Sequence, residues 1–372
     1  MILLTNQLDK YYMNFNEKII VGMSGGVDSS ISAIILKDMG FNIKGLFMKN
    51  WEEDDYDGNC NAKNDYKDAK RVADKLGIEL LTVNFSDRYW NLVFKRFIDG
   101  LNNGITPNPD IFCNREIKFH YFLNHVLSLE YDKLATGHYA KIKTKDNKYT
   151  LNIPKDKIKD QTYFLYVINQ YIMNHLVFPL NDISKSDVKN IAKSFDIKLF
   201  EKKESMGICF IGKKNYTNLI SKYIENIPGK IVDDDNKVLG KHNGLFYYTI
   251  GQRKGIGIGG TKNRSEKPWY VVDKKIDKNY LVVSQDVNRL DYKGEIELNE
   301  INWINNHPDE NKEYNARFRH GGKLLPVTLK QRDEKWYLNL KTSERAPTCG
   351  QSAVVYDKDE CIGGGIISRL CF

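Results

Sequence analysis

Three short stretches of this chain carry residue types at spacings that could do chemistry. The first is Ser24-Gly25-Gly26-Val27-Asp28-Ser29, which directly follows the apolar run 18–23. Glycines without a Cβ let the backbone bend sharply and come close to a ligand. Amides at the start of the helix that should follow have no partner inside it, and the helix dipole adds partial positive charge there, so the turn suits an anion. Ser24 and Ser29 add hydroxyl donors. Asp28, a carboxylate beside a phosphate site, suits holding Mg²⁺ or orienting a donor. The bland alternative is a tight turn with an ordinary serine cap. The other two stretches carry cysteines. Cys113 lies in Thr106-Pro-Asn-Pro-Asp-Ile-Phe-Cys-Asn-Arg-Glu-Ile-Lys118, where prolines stiffen a loop and the thiol is expected just before a helix. The helix dipole, Arg115 and Lys118 would lower its pKa there. Cys209 lies in Glu204-Ser-Met-Gly-Ile-Cys-Phe-Ile-Gly212, between Lys202-Lys203 and Lys213-Lys214. On spacing alone each reads first as a buried structural cysteine, as do Cys60, Cys349, Cys361 and Cys371.

The elements that must position these residues alternate. A buried strand precedes the glycine turn and an apolar helix follows it. Then come a strand over 41–48, a helix with Ala69, Val72, Ala73 and Leu76 at i, i+3, i+4, i+7, and a strand over 78–85. A helix carrying Trp90, Val93, Phe94, Phe97, Ile98 and Leu101 on one face, a helix over 116–129 and a strand over 133–136 complete the pattern. Repeated β-α units predict a parallel sheet with ligands at the carboxyl ends of its strands. Ser184 and Asp187 form a capping-box signature for one more helix. Beyond about residue 215 helical periodicity fades and short alternating strands take over, such as Val327-x-Leu329 and Trp336-x-Leu338-x-Leu340. The expected fold class is α/β: a parallel-sheet domain over 1–215, a small β-rich domain over 216–285 and a C-terminal β-barrel over 286–372.

Two motifs are excluded. No Gly-x-x-x-x-Gly-Lys string occurs, so the glycine turn is not a Walker loop. Gly255-Ile-Gly-Ile-Gly-Gly260 matches a dinucleotide fingerprint, but residues 261–268 cannot form the helix that fingerprint needs; it reads as a glycine loop, solvated or near RNA. The net charge of +8 suits a polyanionic partner, and 41% hydrophobic with 28% charged residues are globular values. No apolar stretch approaches the ~20 residues of a membrane span. With no signal-peptide pattern and no Cys-x-x-Cys pair, a cytoplasmic protein with reduced cysteines and no zinc site is expected.

With these segments together, the sequence resembles the bacterial tRNA-specific 2-thiouridylases of the ATP pyrophosphatase, or PP-loop, superfamily. The resemblance runs over nearly the whole chain, through GMSGGVDSS (22–30), LFMKNWEEDD (46–55), TPNPDIFCNREIKF (106–119), ATGHYA (135–140), KDQTYFLY (159–166), GICFIG (207–212), TIGQRKGIGIGG (249–260), KPWYVVDK (267–274), GQSAVVY (350–356) and GGGII (363–367). It implies ATP as cosubstrate with Mg²⁺, tRNA as substrate and a sulfur-relay protein as persulfide donor. Gly22, Met23, Ser24, Gly25, Gly26, Val27, Asp28 and Ser29 would cradle the phosphates, with Met48 and Gly137 also lining the nucleotide site. Asn108, Pro109 and Asp110 would meet the target base, and Asp110 is a candidate general base. His138, Lys159, Asp160, Gln161, Arg317, Phe318 and Gln351 correspond to tRNA contacts. Cys209 would carry the persulfide and Cys113 would be its partner thiol, the two ending as a disulfide. Departures are few: Phe318 stands where the family usually has tyrosine, Cys349 where proline is usual, and the residues before Phe15 are an unassigned tail. Another PP-loop ligase would leave both cysteines without a job, and a non-catalytic tRNA-binding protein would leave Asp28 without one.

Overall fold

The computed structural model describes residues 14–51, 61–195, 219–258 and 267–371. Strand β1 (Lys18–Gly22) has Ile19, Ile20 and Val21 fully buried, which marks the centre of a sheet covered on both faces. β2 (Asn42–Lys49), β3 (Leu80–Asn84), β4 (Lys133–Ala135) and, later in the chain, a short strand at Leu176–Val177 join it in the order β3-β2-β1-β4 followed by that strand, all parallel. Helices α1 (Val27–Asp38) and α2 (Asn61–Leu76) follow β1 and β2. The order reverses between β1 and β4, so their carboxyl ends open a crevice at the sheet's switch point. The expected face of α2 is right: Ala69, Val72 and Ala73 are buried under the sheet.

Two helices depart from the expected period. α3 (residues 86–102) passes through a π-helical turn at Trp90–Phe94. α4 (residues 109–128) runs as α-helix at Pro109–Phe112, π-helix at Cys113–Phe122 and α-helix at Leu123–Ser128. It starts seven residues earlier than the periodicity predicts. Asn108 caps it, its side chain accepting the Asp110 N–H at 3.2 Å, and Pro109 sits in the first turn, where its missing N–H costs nothing. Cys113 is therefore inside a helix and fully buried, not just ahead of one.

The hairpin β5 (Lys141–Lys145) and β6 (Lys148–Asn152) leaves this domain, and β7 (Leu176–Val177) returns to its sheet. Helices α5 (Thr162–Leu165) and α6 (Gln170–Asn174) lie between them, and α7 (Lys185–Ser194), closed by the Ser184–Asp187 capping box, packs on α1. A second sheet has β8 (Gly229–Val232), β9 (Val238–His242), β10 (Tyr270–Lys275) and β11 (Tyr280–Ser284) in the order β10-β11-β8-β9. Its core includes Ile231, Val271, Leu281 and Val283 together with Ile256, so the glycine loop is anchored by a buried side chain instead of being wholly solvated.

After the short β12 (Asp291–Tyr292) come β13 (Glu295–Trp303), β14 (Glu313–Arg317), β15 (Leu325–Arg332) and β16 (Lys335–Leu340). β17 (Glu344–Arg345) pairs with β12, and β18 (Ser352–Asp357) and β19 (Glu360–Cys371) end the chain. The antiparallel order β13-β16-β15-β14-β18-β19, closed by β13 on β19, is a six-stranded barrel filled by Leu298, Phe318, Leu329, Trp336 and Leu338. β6 pairs with β19, Leu151 opposite Cys361, so the first domain adds its hairpin to the barrel's sheet. Among the described residues no helix is long and apolar enough to cross a membrane.

Candidate active site

The Ser24–Ser29 turn leaves β1 at the switch point and enters α1 without a side-chain cap, since Gly26 occupies the cap position. The first-turn amides thus have no intrahelical partner. Ser29 holds the turn: its hydroxyl donates to the Gly26 carbonyl at 3.0 Å and accepts the Ser24 N–H at 3.2 Å, while Ser24 itself is exposed. Gly25 sits at φ +75° with its missing Cβ pointing at the Asp65 backbone only 2.2 Å away. No other residue fits there. From the other side of the crevice, Gly137 beyond β4 lies on the first turn of α1, where a Cβ would be 2.8 Å from the Ser29 nitrogen.

Asp28 orients a donor, one of the two jobs its sequence context suggests. Its carboxylate accepts both hydrogen bonds of a Lys185 ammonium, at 2.7 and 2.8 Å, and a third from the Tyr139 hydroxyl at 3.0 Å. Lys185 opens α7 and is only 8% exposed, so the pair is partly desolvated and directional. Neither Lys185 nor Tyr139 stood out in the sequence, because one lies inside a capping box and the other directly after His138, which drew the functional reading of that segment. Among the described residues no cluster of three or more His, Cys, Asp or Glu side chains could hold a metal ion. Met48, next to last in β2, is half-buried against the core.

His138 follows Gly137 and connects this loop to the cysteine helix. It lies between Phe119 and Phe178, its Nδ1 2.7 Å from the Thr136 hydroxyl and its Nε2 3.5 Å from Lys118 Nζ. Desolvation, and then the Lys118 charge, push its pKa well below 6.5, so it is neutral at pH 7. Lys118 can then donate to Nε2 while Nδ1–H donates to Thr136. Lys118 is five residues from Cys113, one π-helical hydrogen-bond step along α4. Arg115, expected to serve the thiol, is instead bound to Glu116 at 2.7 Å and Glu300 at 2.9 Å. Cys209 and the GICFIG segment lie outside the described residues, as does Cys60.

The remaining candidates separate by burial. Lys159 and His138 are half-buried. Gln161 accepts the Tyr139 N–H at 2.8 Å. Asp160 is buried and accepts from Arg317 at 2.7 Å, the Thr162 hydroxyl at 2.7 Å and the Thr162 N–H at 2.9 Å. Arg317 is nearly as buried, and Phe318 places its ring in the barrel core at 3% exposure. In this conformation these three join the first domain to the barrel and offer no open face to an RNA.

Comparison with known proteins follows the same architecture. Residues 17–213 match the tRNA methyl transferase HUP domain family, 217–285 the tRNA methyl transferase PRC-barrel domain and 293–367 the aminomethyltransferase beta-barrel domain. The chain is 45% identical over 356 residues to the tRNA-specific 2-thiouridylase MnmA of Ruthia magnifica, covering 95% of this chain and 98% of that one. It is 47% identical over 369 residues to the protein of that name from Buchnera aphidicola, again covering 95% and 98%. This chain belongs to the tRNA-specific 2-thiouridylase family. Among solved structures, a U34-tRNA thiolase from Methanococcus maripaludis matches 60% of this chain and 70% of its own at 18% identity and a TM-score of 0.37. Between the glycine turn and the Cys113 helix lie Gly137, packed on the first turn of α1, and His138, in contact with Lys118 of α4.

Proposed function

We propose that this chain is a tRNA 2-thiouridylase that uses ATP to activate the C2 oxygen of the wobble uridine and replaces it with sulfur from a cysteine persulfide. The observation that carries the reading is that an amide cradle for phosphate and a buried cysteine helix meet at one strand end, through Lys118 and His138. ATP supplies the leaving group: the uracil C2 oxygen attacks the α-phosphate, pyrophosphate departs, and the oxygen becomes part of AMP. The first-turn amides of α1 and the Ser24 hydroxyl hold the phosphates. Asp28 keeps the Lys185 ammonium aimed at the same loop. Met48, near the end of β2, would contact the adenosine, and Gly137, beyond β4, would line the nucleotide site. Mg²⁺ would arrive with the nucleotide, since Asp28 is already engaged, and no step depends on it.

The terminal sulfur of a Cys209 persulfide then attacks C2, and AMP leaves with the former C2 oxygen. The Cys113 thiolate attacks the Cys209 sulfur, the S–S bond to the base breaks, and 2-thiouridine is released. A Cys113–Cys209 disulfide remains and requires a thiol reductant for the next turnover. In the alternative order Cys113 attacks first and releases hydrosulfide as the nucleophile; both orders end in the same disulfide. Asp110, three residues before Cys113 in the first turn of α4, would take the proton of its thiol. The wobble base must leave its stack to reach these groups. A persulfide-bearing relay protein in the cytoplasm is the expected sulfur source. Incubation of the chain with tRNA, ATP and a persulfide donor, followed by nucleoside mass spectrometry, tests the reading. It predicts 2-thiouridine and AMP in equal amounts, and tRNA-dependent exchange of pyrophosphate into ATP. Exchange without tRNA and no thionucleoside would instead identify a small-molecule ligase.

A further inference from the structure

The barrel holds the cysteine segment at both of its ends. At the front, the turn before β18 closes on Thr106: the Thr106 N–H donates to the Cys349 carbonyl at 3.0 Å, and Gln351 Nε2 donates to the Thr106 carbonyl at 2.8 Å. Gly350 between them, at φ +90°, lies so close that a Cβ would be 2.9 Å from the Thr106 carbonyl carbon. At the rear, β13 carries a bulge between Asn299 and Asn302, and Glu300 within it has φ +48°. Bulges re-aim side chains, and this one turns Glu300 out of the barrel toward α3 and α4. Its carboxylate accepts from Arg115 at 2.9 Å and from Arg96. Arg96 stacks 4.0 Å above the Phe112 ring, and Arg115 lies 5.8 Å from that ring. Phe112 is the residue before Cys113. A single exposed ion pair would fix little, but one carboxylate shared by two guanidiniums around one ring defines a geometry.

We propose that the C-terminal barrel sets the position of segment 106–115, and with it Cys113, through two positioning residues: Gln351 at the front and Glu300 at the rear. Gln351, whose family position suggests an RNA contact, has its amide donor on the protein's own catalytic loop. The barrel then couples whatever binds it to the thiol that must meet the persulfide. The inference rests on the thiouridylase reading for its consequence, but its first readout needs no turnover.

The test compares wild type with Gln351→Glu, which puts an acceptor opposite the Thr106 carbonyl, and with Glu300→Gln. Iodoacetamide labelling is followed by mass spectrometry, with Cys361, fully buried beside β6, as the internal control for global opening. Each variant should label Cys113 roughly tenfold faster while Cys361 stays at the wild-type rate. In single-turnover thiolation each should lose roughly ten- to a hundredfold in rate at unchanged tRNA affinity. Glu300→Asp, which keeps the charge, should recover part of the Glu300→Gln loss. Unchanged Cys113 labelling overturns the proposal, as does equal acceleration at both cysteines, which would report general loosening. A loss confined to tRNA affinity would make Gln351 an RNA contact and overturn it too. Absence of 2-thiouridine from the wild-type reaction would sink the functional reading while leaving the labelling result to stand alone.

Discussion

The phosphate turn and the cysteine segment sit near one another, yet they are built in opposite ways. The turn is nearly self-contained: Ser24, Gly26 and Ser29 bond one another within five residues, and α1 rises directly from it. The cysteine segment is held from far away, by Gln351 across 245 residues and by Glu300 across 185. A local motif folds its own geometry; the other waits for the barrel to close. Asp28 belongs to both worlds, since its turn is local but its partners Tyr139 and Lys185 lie 111 and 157 residues on.

The largest effects should come from removing the chemistry on either side. Cys209→Ser should accept no sulfur from a donor, whereas Cys113→Ser should still load a persulfide and form no 2-thiouridine. Thiol-trapping mass spectrometry distinguishes the two, and a persulfide found on Cys113 would reverse the assignment. Asp28→Ala should reduce pyrophosphate release by roughly two to three orders of magnitude, as expected when a preorganised cation is lost from a charge-stabilising site. tRNA binding should persist. If Asp28→Ala thiolates at the wild-type rate, the turn is not the ATP site and the comparison between the two regions loses one side.

Arg317→Met sharpens the contrast at intermediate scale. It leaves Asp160 buried without its cation, so unfolding free energy should fall by about 3–5 kcal/mol in denaturant titration, the usual cost of orphaning a buried charge. If Arg317 is mainly an RNA contact, the loss would appear as weaker tRNA binding and a smaller salt slope with stability intact. The smallest effect is in pH. His138 has its folded pKa depressed below 6.5, so its contribution to stability is fully present above the unfolded value and is lost as pH falls from there through the folded pKa. His138→Gln should therefore lose less of its melting temperature than wild type does between pH 7.5 and pH 5. An equal loss in both proteins would exclude His138 as the group responsible.

Much of the fold was legible because it is periodic. Ile19 to Val21, the Ala69–Val72–Ala73 face, the Ser184 capping box and the alternation of β15 and β16 each announce themselves within a dozen residues. The glycine turn was legible for the same reason: its φ and its close approach to α2 need Gly25 wherever the rest of the chain goes. What misled was local context taken as sufficient. Arg115 and Lys118 sit near Cys113 in sequence, but Arg115 is drawn off by Glu300 from the barrel, and a π-helical register gives Lys118 to His138. Residues read as separate domains also share a sheet at β6 and β19 and a buried ion pair at Asp160 and Arg317.

The sequence by itself determined the strand–turn–helix of the phosphate site and the Ser184–Asp187 cap of α7, because backbone conformation is set over a few residues. Only the tertiary structure decided which charge each side chain meets. Lys185 reaches Asp28, Glu300 reaches Arg96 and Arg115, and Gln351 reaches Thr106 through contacts whose partners are chosen by sheet order and barrel closure, and no periodicity along the chain encodes those.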